Sequence, residues 1–220
     1  MSPVSAVGGY ALWADTWDAT PSPVVAVEHR ALLPWIESLH PRRAIDVGCG
    51  TGRWTARLGA LGFDTSAPML AQAARKPGLR GRLAVADAAA LPIAACSTDF
   101  VLCALTLAHV RDHAAAIREF ARVLEPGGCL VLTDFHPAAA AEGWRRTFRC
   151  DGRVYELENY PYGRDRLRDL TAAAGLSLDE WAEAFIGEPE RQLFQQAGRL
   201  DLFDNACRTP VVLLARLTRL

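Results

Sequence analysis

The chain has 220 residues, a formal net charge of −1 and an apolar share of 50%, enough for a full hydrophobic core in one soluble globular domain. Near-neutral charge without a basic stripe argues against nucleic acid as the main partner. No apolar run approaches the ~20 residues of a membrane span, no charged segment followed by an apolar run opens the chain, and the six cysteines form no C-x-x-C or metal spacing. The expectation is a cytoplasmic protein with free thiols, no bound metal and no membrane partner.

Residues 1–40 read as a helical cap. Tyr10, Trp13 and Trp17 recur at helical spacing, which fits packing on a core or a cover over a ligand. Pro21 and Pro23 follow, and a helix is predicted from about 27 to 39. The stretch 42–136 then alternates strands and helices. Strands are predicted at 44–48, 61–64, 82–86, 98–105 and 128–135, with helices at 53–60, 67–75 and 112–124. Apolar runs such as Phe100-Val101-Leu102-Cys103-Ala104-Leu105 suit strands buried on both faces. Such alternation predicts a doubly wound parallel sheet with right-handed crossovers.

Residues 144–162 change character. Two alternating segments flank Asp151-Gly152, a strong signal for a β-hairpin, expected to extend from the core sheet at its ligand end. Alternation puts Arg145, Thr147 and Arg149 on one face and Arg146 and Phe148 on the other. An arginine on the inner face can hold a substrate carboxylate or phosphate bidentately; the alternative is a solvated hairpin with cross-strand pairs such as Arg149 with Glu156. A helix at 164–174, a strand at 176–186, a helix near 189–197 and a strand at about 211–217 complete residues 163–220.

The chemistry-bearing positions lie at strand ends. Asp46-Val47-Gly48-Cys49-Gly50-Thr51-Gly52 is a strand running into a G-x-G-x-G turn, which brings backbone close to a bulky ligand. A dinucleotide fingerprint is G-x-G-x-x-G instead. Asp64 opens Asp64-Thr65-Ser66-Ala67-Pro68-Met69-Leu70, where an acid can accept from both hydroxyls of a ribose. Asp87 ends a third strand and can accept from the exocyclic amine of adenine. Arg122-Val123-Leu124-Glu125-Pro126-Gly127-Gly128 is a helix end, a turn and a strand start.

In this order, the four motifs resemble the class I S-adenosylmethionine-dependent methyltransferases, and most of all the group that includes the ubiquinone- and menaquinone-pathway enzymes. The resemblance spans roughly residues 44–135. It implies a Rossmann-like, mostly parallel seven-stranded sheet with an antiparallel last strand, here with an inserted hairpin. The implied cofactor is S-adenosyl-L-methionine, with Trp17, Asp46, Gly48, Cys49, Gly50, Gly52, Asp64, Thr65, Met69, Asp87, Ala88 and Leu105 at its site. In the family the acid of the second strand usually lies further from the glycine turn. The first helix must therefore be short, and Asp64 is open to displacement from the ribose.

Methyl transfer from a sulfonium needs mainly positioning and exclusion of water. A general base is required only for a protonated acceptor. His109 and His136, each just past a strand, are the catalytic candidates; Asp134 is expected to cap or orient. Arg145, Tyr155 and Tyr160 are the expected substrate contacts. The leading reading is methyl transfer to an oxygen, nitrogen or activated carbon of a small metabolite by a monomer or homodimer. The alternatives are an NAD-type Rossmann dehydrogenase and a non-catalytic S-adenosylmethionine-binding protein.

Overall fold

The computed structural model describes residues 2–220. Strand β1 (Ser2–Val4), helix α1 (Ala6–Trp13), a short 3-10 turn (Trp17–Ala19) and helix α2 (Pro23–Ser38) precede the first core strand. Helix α2 begins about four residues before its expected start. Ser22 caps it through a hydrogen bond from Val25 N–H, and Pro23 occupies the first turn, where its missing N–H costs nothing.

The core follows as β2 (Ala44–Val47), α3 (Arg53–Leu58), β3 (Leu61–Asp64), α4 (Ala67–Ala73), β4 (Leu83–Val85), β5 (Thr98–Ala104), α5 (His113–Val123) and β6 (Leu124–Phe135). Next come α6 (Pro137–Ala141), the hairpin strands β7 (Thr147–Cys150) and β8 (Arg153–Leu157), and α7 (Arg164–Ala173). The chain ends with β9 (Leu176–Phe185), α8 (Arg191–Gln196), α9 (Phe203–Ala206) and β10 (Pro210–Arg219).

Seven strands form one sheet in the order β4-β3-β2-β5-β6-β10-β9. The pairs among β2 to β6 are parallel, and β10 runs antiparallel to both its neighbours. Both faces of β5 are covered, as its unbroken apolar run requires. Val101 and Cys103 face the layer that contains Ile117 and Phe120 of α5; Phe100 and Leu102 face the layer that contains Val27 and Leu32 of α2. Strand order reverses between β2 and β5, and at such a switch point a crevice opens beyond the carboxyl ends of the strands.

The hairpin forms on its predicted turn. Asp151 and Gly152 both have positive φ, 48° and 73°, the backbone of a type I′ turn. It does not extend the core sheet. Strands β7 and β8 pair with each other and β8 pairs in parallel with β1, giving a separate three-stranded sheet. The two-residue turn sets Arg149 opposite Val154 and Thr147 opposite Glu156, so Glu156 pairs with Arg145 at 3.4 Å and not with Arg149. Among the described residues no helix is long and apolar enough to cross a membrane.

Candidate active site

Four strand ends, β2 to β5, wall one cleft. Along it lie Asp46, Gly48, Cys49 and Gly50 after β2; Asp64, Thr65 and Met69 after β3; Asp87 and Ala88 after β4; and Leu105 after β5. Trp17 and Tyr10 cover it from the N-terminal segment, and His109 and Arg146 close its far wall. Gly52 lies outside the lining; it bonds back to Cys49 and heads α3.

The glycines serve different ends. Gly48 has φ +71°, and a Cβ there would sit 2.1 Å from Thr106 Cγ2, so this glycine keeps β2 close to the loop after β5. Gly50 has φ +54°, and a Cβ would meet only Met69 Cε at 3.2 Å. The space above Gly50 is the cleft itself.

Asp64 is oriented by backbone. Its Oδ2 accepts from Gly50 N–H at 2.8 Å and its Oδ1 from Ser66 N–H at 2.8 Å. Each oxygen keeps a lone pair for a further donor. The short α3 therefore does not draw Asp64 away from the turn. Burial raises its pKa, while these N–H groups pull the other way. Asp46 is buried and accepts from Thr55 Oγ1 at 2.6 Å; burial pushes its pKa up to about 7. Asp87 Oδ1 accepts from Ala89 N–H at 2.8 Å.

Arg53 and Trp54 also line the cleft, and neither was singled out from the sequence. The fully buried Glu28 of α2 fixes both: it accepts from Arg53 Nη2 at 2.6 Å, from Trp54 Nε1 at 3.0 Å and from Thr133 Oγ1 at 3.2 Å. A glutamate within an amphipathic helix reads as a surface residue, so only the fold reveals this contact.

His109 stands in a short turn whose Ala108 N–H is held by Asp134 Oδ2 at 2.6 Å. Asp134 also accepts from Phe135 N–H at 2.9 Å and Tyr162 Oη at 3.3 Å; burial raises its pKa to about 6. His109 Nδ1 lies 2.8 Å from the Glu158 carbonyl, so that nitrogen carries the proton. Nε2 then accepts from the Tyr10 hydroxyl at 3.0 Å, and Tyr10 Oη accepts from Arg146 Nη2 at 3.3 Å. Burial and then the Arg146 charge lower the His109 pKa to about 4. Its imidazole is neutral at pH 7, with its lone pair turned to the covered end of the cleft.

The other expected site residues are placed elsewhere. His136 is mostly buried outside the cleft. Its Nδ1 caps α6 by accepting from Ala138 N–H at 3.1 Å, and its Nε2 meets Glu183 Oε1 at 3.3 Å. Both ring nitrogens are spent on structure, because Pro137 turns the chain into α6 directly after β6. Arg145 faces outward, bonded to the carbonyls of Ala140 and Trp144 and paired with Glu156. Tyr155 stacks on Phe148 with ring centroids 5.3 Å apart, and it joins Trp13 and Leu157 in a small core under the cleft cover. Tyr160 N–H donates to Ala108 O at 2.6 Å. Arg145 and Tyr160 line a second cavity, which shares Arg146 with the cleft.

Comparison with known proteins agrees with this geometry. Residues 45–132 match the family described as "Methyltransferase domain". A ubiquinone biosynthesis O-methyltransferase of Xanthomonas oryzae pv. oryzae is 32% identical over 169 residues, 72% of this chain and 66% of that one. The chain belongs to the class I S-adenosylmethionine-dependent methyltransferases. A demethylmenaquinone methyltransferase of Thermus thermophilus is 40% identical over 107 residues, 44% of this chain and 49% of that one. The chain spans about half the length of the first curated relatives it matches. Among solved structures, an S-adenosylmethionine-dependent methyltransferase of Thermotoga maritima described as a possible histamine N-methyltransferase superposes with a TM-score of 0.68. It is 21% identical, with 97% of this chain and 99% of that chain covered.

Membership implies S-adenosylmethionine as cofactor, and the residues fit it. Asp64 has free lone pairs where a ribose needs acceptors, Gly50 leaves room that a Cβ would fill, and Asp46, Tyr10 and Trp17 suit a cationic tail. No cluster of three or more histidine, cysteine or carboxylate groups able to hold a metal occurs among the described residues.

Proposed function

We propose that this protein transfers a methyl group from S-adenosylmethionine to an oxygen, nitrogen or activated carbon of a small metabolite held between the cleft and its cover. The observation that carries the reading is Asp64, clamped by Gly50 N–H and Ser66 N–H at 2.8 Å each with its remaining lone pairs free. In this reading Asp64 holds the ribose and Asp87 the adenine amine. Cys49, Thr65, Met69, Ala88 and Leu105 shape the walls, and Asp46 faces the amino-acid end. The bound cofactor supplies a methyl group on a good leaving group, so this chain's task is to align the acceptor and exclude water.

His109 is the acceptor-side residue. Its Nδ1–H is committed to the Glu158 carbonyl and its Nε2 lone pair is kept neutral by burial. Because the Tyr10 hydroxyl donates to that lone pair, the acceptor's proton passes to Tyr10 Oη as the Tyr10 proton passes to His109 Nε2. The cover is built from residues 2–19 and 144–162 together, since β1 pairs with β8 and Trp13 stacks on Phe148 with centroids 4.7 Å apart. A cover of this kind excludes water while the site is closed.

The test is mass spectrometry of a metabolite mixture incubated with S-adenosylmethionine that carries a deuterated methyl group. A product with the heavy methyl supports the reading. In His109→Ala, turnover should fall by ~100- to 10,000-fold while affinity for S-adenosylhomocysteine holds. Binding of S-adenosylhomocysteine without any labelled product would favour a non-catalytic binder.

A further inference from the structure

Arg146 precedes β7 on the inner face of the hairpin and is only 9% exposed. Among the described residues no carboxylate lies within ion-pair distance of its guanidinium. Its one side-chain acceptor is the Tyr10 hydroxyl, at 3.3 Å. The nearby acids are committed elsewhere. Asp134 feels the Arg146 charge but spends its oxygens on Ala108 N–H, Phe135 N–H and Tyr162 Oη. Glu156 pairs with Arg145 at 3.4 Å, and Glu158 accepts from Tyr160 Oη at 3.4 Å. A buried cation without a counter-ion costs several kcal/mol, and a planar guanidinium is suited to a two-oxygen anion.

A second observation comes from the other side of the same residue. Arg146 also lines the cavity beneath the hairpin, together with Arg145, Asn159 and Tyr160. Asn159 Oδ1 is buried there without any hydrogen-bond partner. A native fold leaves few such atoms unpaired. The cavity thus holds an unneutralised guanidinium and an unsatisfied amide oxygen, next to the wall that carries His109.

We propose that the methyl acceptor bears an oxyanion, as a carboxylate or a phosphate ester, which docks on Arg146, and a hydrogen-bond donor that satisfies Asn159. This rests on the methyltransferase reading, with the cofactor along Asp46, Asp64 and Asp87 and the acceptor entering from the hairpin side. The acceptor's charge then selects it and fixes its reacting atom towards His109.

The test is calorimetry on the full chain saturated with S-adenosylhomocysteine, with benzoate, phenyl phosphate and the neutral benzamide as probes. One or both anions should bind more tightly than benzamide by more than about tenfold, the worth of one charge-assisted hydrogen bond. The preferred anion tells carboxylate from phosphate ester. Arg146→Gln should abolish that preference, Arg146→Lys should keep part of it, and S-adenosylhomocysteine affinity should hold in both, with their folding checked separately by circular dichroism. Equal binding of all three probes, or no anion binding at all, would overturn the proposal. So would loss of S-adenosylhomocysteine affinity in the folded Arg146→Lys variant, since Arg146 would then belong to the cofactor. Failure of the wild type to bind S-adenosylhomocysteine would instead count against the methyltransferase reading.

Discussion

Asp64 concentrates the cofactor argument in one side chain. Removing it in Asp64→Ala should weaken S-adenosylhomocysteine binding by about 1.5–3 kcal/mol, the range for hydrogen bonds to a charged group; calorimetry reads it directly. Asp46 has the opposite character, for its burial costs stability. Its folded pKa of about 7 stands above the ordinary carboxylate value of 3.8, so the folded state keeps the proton longer than the unfolded chain. Its contribution is present below about pH 4 and lost as pH rises through 7. Asp46→Asn removes that cost. The variant should match the wild type in thermal melts near pH 4 and exceed it at pH 8, by about 2–4 °C for each kcal/mol relieved. The strand-end acids and the glycine turn were legible in the sequence because each is a local device. His136 was misplaced because position after a strand does not say where a ring points, and the Pro137 that follows it starts a helix that claims the ring as cap. Arg146, Tyr10 and His109 meet across 136 residues of chain, beyond the reach of any spacing argument.

At the scale of elements, two assemblies frame the cleft. One is the cover, where α1 and the hairpin share a small core of Trp13, Phe148 and Leu157. Trp13→Ala removes the stack on Phe148, and a large-to-small change of this kind costs ~3–5 kcal/mol. Because the cover is a separate small core, the loss should appear as local opening. Hydrogen exchange should quicken over residues 2–19 and 147–157 and stay slow in β5 and β6; uniform quickening would show that cover and core unfold together. The other assembly is the Glu28 pin, which ties α2 to α3 and β6. Glu28→Ala leaves the buried Trp54 Nε1–H and Thr133 Oγ1–H without their acceptor and should cost ~1–3 kcal/mol for each such donor in a denaturant melt. The hairpin was readable because Asp151-Gly152 demands one turn type. Its partner was not, since β1 is three residues long and its parallel pairing with β8 spans the whole core.

Across the whole molecule, β2 to β5 set Asp46, Gly48, Gly50, Asp64, Asp87 and Leu105 at or just past their carboxyl ends, with the strand-order reversal between β2 and β5 beneath them. The alternation of core elements was legible in apolar runs and helix stops, whereas the seven-strand count and the antiparallel last strand came only from the family resemblance. The same architecture opposes two pH dependences. His109 has its pKa lowered to about 4, so stability gains as pH rises from about 4 to 6.5; Asp46 and Asp134, raised to about 7 and about 6, lose stability over much of that span. All three groups border or support the cleft, and burial holds each towards its neutral form. The central claim is that this cleft is built for S-adenosylmethionine. Its most direct test is calorimetry of the wild type and Gly50→Val with S-adenosylhomocysteine and with NAD. The wild type should bind S-adenosylhomocysteine and ignore NAD, and Gly50→Val should bind neither, because its side chain fills the open space above the turn. NAD binding with no response to S-adenosylhomocysteine would contradict the account.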